Sequence, residues 1–189
     1  MPSPSELERQ SLLRLARDSI IAAVSRTLPN SWPKHGVFAE RCGVFVTVRV
    51  NHQLRGCIGV VETDEPLGDA VVRCAACAAS QDPRFPPITA EDLAGLEVEI
   101  SLLSPPVPLR VEEIEIGKHG LMVVQGARRG LLLPQVATEH HLTVEQFLAE
   151  TCRKAGLRAD AWREPETQIF GFTCELLTDS LTAGKTRVQ

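Results

Sequence analysis

The chain has no tyrosine, and aromatic residues make up only 4% of its 189 positions. With a net charge of −4 and no basic block, this scarcity argues against a nucleic-acid groove, which is built from stacking rings and cations. Arg128-Arg129 and Arg153-Lys154 leave a small basic patch as an alternative, although such pairs are usually just solvated. No window approaches the ~18 uninterrupted apolar residues of a membrane span. The start, Met1 to Arg9, is acidic and lacks the apolar core of a signal peptide. Both absences lead us to expect a cytoplasmic protein with no membrane contact. There is also no Gly-x-x-x-x-Gly-Lys phosphate loop, no Gly-x-Ser-x-Gly and no His-Glu-x-x-His, which removes common nucleotide hydrolases, serine hydrolases and zinc proteases. Nothing calls for a metal or another cofactor.

What is present is ordinary for a globular chain: 43% hydrophobic and 23% charged residues, long enough to bury a core without staples. The six cysteines, at 42, 57, 74, 77, 152 and 174, are expected as reduced thiols serving mainly as small apolar groups. Leu12, Leu15, Ala16, Ile20, Ala23, Val24 and Leu28 recur at helical spacing, so residues 6–28 read as one amphipathic helix stopped by Pro29. Val44, Val46, Val48 and Val50 alternate with Phe45, Thr47 and Arg49. A turn at Asn51-His52-Gln53 then leads to a second apolar run, Leu54 to Val61, completing a β-hairpin.

Further along, Thr63 or Asp64 is placed to cap a helix that reaches about Ser80. Asp82-Pro83-Arg84-Phe85-Pro86-Pro87 cannot be helical, because its prolines remove donors and force extended geometry; a stiff loop holding Asp82, Arg84 and Phe85 outward is expected. Thr89 with Asp92 suggests a short capped turn. Leu96 to Leu103 alternates as a strand with one wet side. Pro105, Pro106 and Pro108 make a rigid connector, and 117–125 with 130–134 form a hairpin of about five loop residues. Thr143 and Gln146 form a capping box for a helix to Lys154, with Gly156 as its stop. Gln168 to Leu177 closes as a strand. Hairpin-linked strands with helices between groups of them indicate an α+β protein with a mostly antiparallel sheet and packed helices. We place a flexible N-terminus at 1–7, a single domain at 8–180 and a flexible tail at 181–189.

The hairpin's second arm, Leu54-Arg55-Gly56-Cys57-Ile58-Gly59, is unusual for a strand because two glycines flank a thiol. Glycine there marks a bulge or a close approach. Cys57 is the candidate nucleophile: a thiolate needs no metal, and a guanidinium nearby favours it. Gly56 and Gly59 would leave the thiol open and aim N–H groups at an oxyanion. A base is not assignable, since His52 and His119 are both candidates. The competing account makes Cys57 a small core residue and the glycines a means of close packing. Arg55, Asp82, Arg84 and Phe85 can gather around an anionic or peptide-like ligand; alternatively Arg55 and Asp82 form a structural ion pair. Cys74-Ala75-Ala76-Cys77 has redox or zinc spacing but lies mid-helix among alanines, where packing is its natural role. His140-His141 lacks a third ligand, and Glu97 and Glu99 match any half-solvated strand.

Leu54-Arg55-Gly56-Cys57-Ile58-Gly59, followed by Gln81 to Pro87, Glu97 to Pro106 and Arg129 to Val136, resembles the signature of the AMMECR domain family in order and spacing, over residues 8 to 180. The resemblance implies two unequal lobes with a cleft between them. It also points to the AmmeMemoRadiSam system, in which an AMMECR-type protein is encoded or fused with a Memo-like protein and a radical SAM protein, the partners it implies. It brings no established reaction. Three functional expectations stand: an accessory protein that engages a small ligand or partner peptide through Arg55, Gly56, Gly59, Asp82, Arg84 and Phe85; a cysteine-dependent acyl- or group-transfer enzyme using Cys57; or a role in transcription, repair or translation.

Overall fold

The computed structural model describes residues 3–178; the expected tail at 181–189 lies outside them. Four α-helices and seven strands in antiparallel pairs among the described residues make this an α+β protein. Among the described residues the chain divides into two compact units, residues 3–103 with 175–178, and Ser104–Cys174.

In the first unit, helix α1 (Glu6–Ser25) opens on a capping box. The Ser5 hydroxyl accepts from the Glu8 N–H, and the Glu8 carboxylate accepts from the Ser5 N–H, satisfying donors a helix start otherwise leaves bare. Order therefore begins inside the stretch set aside as an N-terminal extension. The helix stops at Arg26, in the left-handed region at φ 55°, short of Leu28, which is left exposed. Strands β1 (Gly43–Val50) and β2 (Gln53–Val60) are joined by Asn51 and His52, both at positive φ, the two-residue geometry that matches strand twist. β1 also pairs with β3 (Leu96–Leu103), giving the order β2-β1-β3 in this unit. Val44, Val46 and Val48 with Val98, Ile100 and Leu102 form one fully dry face, which helices α1 and α2 (Leu67–Ser80) cover with Leu12, Ala16, Ile20, Leu67, Val71 and Cys74. Helix α2 differs from expectation at its start: Pro66 is the N-cap and no side chain caps it, while the Thr63 hydroxyl accepts from the Glu65 N–H. The side of β3 expected to be wet is wet only at Glu97 and Glu99; Ser101 and Leu103 are buried. Phe45, cross-strand from both Ser101 and Gly59, occupies that face.

The second unit holds β4 (Val107–Pro108), β5 (His119–Gln125), β6 (Arg128–Leu132), α3 (Pro134–Glu139), α4 (Val144–Lys154) and the start of β7 (Gln168–Thr178). β5 lies between β6 and β7, and β4 pairs with β7. Leu121, Phe147 and Leu148 form its core. The β5–β6 turn is tighter than expected. Gln125 pairs with Arg128, leaving only Gly126 and Ala127 between strands, with Gly126 at φ 57°. Pro134, expected to end the second arm, instead takes the first position of helix α3, where a missing N–H is harmless. The Thr143/Gln146 box on α4 forms as expected.

Two glycines set how closely layers approach. A Cβ on Gly56 would lie 2.0 Å from the Ala78 carbonyl oxygen, so β2 and the last turn of α2 meet backbone to backbone. A Cβ on Gly59 would strike the Phe45 ring at 2.3 Å. Gly56→Ala is therefore expected to destabilise the protein by about 2–3 kcal/mol through overpacking. Gly126→Ala, which meets nothing within 4 Å but keeps φ 57°, should cost only about 1 kcal/mol from backbone strain. Urea denaturation of the two variants checks the order; equal losses would contradict the close approach.

Candidate functional site

Among the described residues β2 pairs with β1 on one side only, so its other edge exposes backbone groups that want partners. At Cys57 these groups are met by side chains. Its N–H donates to Asp82 Oδ2 at 2.9 Å, and its carbonyl accepts from Arg84 Nη2 at 3.2 Å. Since both groups turn away from β1, Cys57 and its partner Thr47 form the non-hydrogen-bonded type of pair, in which side chains come close. The Thr47 hydroxyl accordingly donates to Cys57 Sγ at 3.3 Å.

Asp82 follows directly on the end of α2, where Gly56 has drawn the helix against the strand. Its side chain is 2% exposed, not held outward as expected. A carboxylate so buried is tolerated only if donors surround it. Besides the Cys57 N–H, it accepts from the Arg84 N–H (3.1 Å), Nε (2.9 Å) and Nη2 (2.6 Å). These bonds, those of the Arg84 side chain foremost, hold its carboxyl well below the usual carboxylate range against the opposing push of burial. The loop is fixed again where the Phe85 N–H donates to the Asp82 carbonyl and the Ile88 N–H to the Ala79 carbonyl. Arg84, 52% exposed, lays its guanidinium 5.2 Å from the centre of the half-buried Phe85 ring. Pro83, Pro86 and Pro87 around it are exposed.

Arg55 does not pair with Asp82. The β1–β2 register shifts between Val48 and Arg49, with Gly56 opposite Val48 and Leu54 opposite Arg49. Arg55 is thus the extra residue of a bulge, which breaks the alternation expected to align it with Cys57. Its guanidinium forks onto Asp92, at 3.1 and 3.4 Å. Asp92 also accepts from the Thr89 N–H and hydroxyl at 2.8 and 2.9 Å, and these Thr89 bonds do most to hold its carboxyl below the ordinary range. Arg55 Nε is buried without a partner.

His52, the candidate base in the same unit as Cys57, is engaged elsewhere. His52, 82% exposed at the hairpin turn, places Nδ1 2.8 Å from Glu97. His119 lies in the second unit, where its Nδ1 accepts from the Glu115 N–H. Cys57 is half-buried. Of the other thiols, Cys74 is fully buried and pushed up to about 11 by desolvation, as a packing residue should be, and Cys77 faces Gln81. His140 and His141 are exposed. No group of three or more His, Cys, Asp or Glu among the described residues is arranged to hold a metal.

A family model described as AMMECR1 matches residues 13–177. A protein of Methanothermobacter thermautotrophicus is 43% identical over 180 residues, covering 89% of this chain and 93% of its own. One from Methanosarcina acetivorans is 48% identical over 155 residues, or 79% and 77%. The crystal structure of an uncharacterized protein from Pyrococcus horikoshii superposes with a TM-score of 0.84 at 38% identity, covering 89% of this chain and 90% of that one. The chain belongs to the AMMECR1 family.

In this AMMECR1 chain the structure brings Cys57, Asp82, Arg84 and Phe85 together and gives Arg55 a separate task. Gly56 and Gly59 serve packing, and the Cys57 N–H is committed to a carboxylate, so it is not a free oxyanion donor. The sequence reading missed Thr47 and Asp92 as members. Pairing the alternating arms of the hairpin would have put Thr47 opposite Cys57, and Asp92 was visible only as the partner of Thr89.

The depressed carboxyl of Asp82 carries a signed pH dependence. Its contribution to stability is complete above the unfolded value of ~3.9 and is lost as pH falls below that toward the folded value. Asp82→Asn should cost about 1–3 kcal/mol near pH 7, and the gap from the wild type should shrink on going to about pH 3, because Asp92 titrates in both proteins alike. Urea denaturation at the two pH values measures this. A gap independent of pH would mean that Asp82 is not ionised in the fold.

Proposed function

We propose that this AMMECR1-family protein is a cytoplasmic accessory protein that binds a partner peptide or small ligand through the surface around Cys57, and that the Memo-like and radical SAM proteins of the AmmeMemoRadiSam system are its partners. The observation that carries this reading is the state of Arg84 and Phe85. A half-exposed ring and an exposed guanidinium stack on each other and are fixed from beneath by a buried aspartate. Arginine and aromatic side chains are over-represented among residues that dominate binding energy, and rigid presentation lowers the entropy lost on association. That no helix is long and apolar enough to cross a membrane, among the described residues, fits the same reading.

The Thr47 hydroxyl on Cys57 Sγ favours a second reading, a cysteine-dependent enzyme, because such a donor supports a thiolate. In that reading His52 is already engaged with Glu97, and the Cys57 N–H is bonded to Asp82.

Isothermal titration against the purified Memo-like and radical SAM proteins distinguishes the two. Binding should weaken at least about tenfold in Phe85→Ala, the ~1.4 kcal/mol expected of one anchor, and persist in Cys57→Ser. Binding to neither protein, or indifference to Phe85, would sink the accessory reading; loss with Cys57→Ser alone would turn attention to the thiol.

A further inference from the structure

The Arg129 to Val136 run has no part in the site around Cys57, yet it builds a second concavity within the second unit. A Cβ on Gly130 would lie 2.3 Å from the Ala155 backbone nitrogen, so β6 abuts the C-terminal end of α4. Beside that contact, Leu132 from β6, Val136 from α3 and Leu142 from the following turn line an open pocket of about 530 Å³, within the ~300–1,000 Å³ of small-molecule sites. All three are apolar and remain only half-buried. The polar members are His140, Glu150, Arg153 and Lys154.

Charge at this pocket runs against that of the whole chain, which carries −4. Arg153 and Glu150 neutralise each other in an ion pair. Lys154 has no acidic partner among the described residues, and His140, which also lines the pocket, is exposed like it. Complementing the helix C-terminus explains why residues 153 and 154 are basic; it does not explain an apolar pocket next to an uncompensated ammonium. An apolar floor with one unpaired cation at its mouth matches a molecule with an apolar body and one negative charge. A dianionic phosphate would ask for several convergent donors, which one free ammonium does not supply.

We propose that the β6–α3–α4 pocket binds a small amphiphilic carboxylate, with its hydrocarbon body on Leu132, Val136 and Leu142 and its carboxylate on Lys154. All of its lining residues belong to the second unit.

The test is a methyl NMR titration of the full chain with octanoate, and with octanol, octylamine and octyl phosphate as comparisons. Octanoate should shift the Leu132, Val136 and Leu142 methyl signals saturably, and octylamine should not. Lys154→Gln should weaken octanoate about tenfold, the value of one charge-assisted hydrogen bond, and Lys154→Arg should restore it; both changes are on an exposed side chain and leave the fold intact. Absence of saturable shifts up to about 1 mM, the weak end of small-ligand affinity, would overturn the proposal. So would octanol binding as tightly as octanoate with Lys154→Gln silent, or octyl phosphate binding more than about tenfold tighter than octanoate.

Discussion

The site in the first unit depends on one buried carboxylate. Asp82 takes the N–H of an edge strand and the guanidinium of its own loop at once, standing in for the strand that β2 lacks on that side. Leaving the Cys57 N–H bare would cost free energy, and burying Asp82 without donors would cost more; each removes the penalty of the other. The arrangement is possible because Gly56 has no side chain. With the Ala78 carbonyl seated where a Cβ would be, α2 ends close enough to β2 for a residue just past its C-cap to reach the strand edge.

Four residues of the Leu54 to Gly59 motif have mechanical tasks. Arg55, extruded by the bulge, ties β2 to the turn at Thr89 and Asp92. Gly56 admits the helix, the Cys57 backbone receives Asp82 and Arg84, and Gly59 lies under Phe45. Arg84 and Phe85 are left on the outer side of this seat, while the thiol keeps a hydroxyl partner and half its exposure. Whatever the role of its thiol, the motif is also a rigid seat for its neighbouring loop.

Much of the fold was legible because periodicity and capping are local. Helix α1 and strands β1, β2 and β3 follow from alternating or helical apolar spacing, and the Thr143/Gln146 box fixed the start of α4. Short elements escaped: α3 has no capping side chain, and its Pro134 is equally natural after a strand. At the site, sequence named Cys57, Asp82, Arg84 and Phe85 but not their wiring. Whether Arg55 meets Asp82 or Asp92 depends on a one-residue bulge, and whether Asp82 points in or out depends on how closely a helix packs on a strand. Neither is encoded in spacing along the chain.

Amide hydrogen exchange at Cys57, resolved residue by residue, tests most directly whether Asp82 holds the strand edge. The account predicts a Cys57 N–H that is protected in the wild type and exchanges rapidly in Asp82→Ala, while the Val46 amide inside the sheet stays slow in both. A Cys57 amide that is unprotected in the wild type, or equally protected after the substitution, would contradict it.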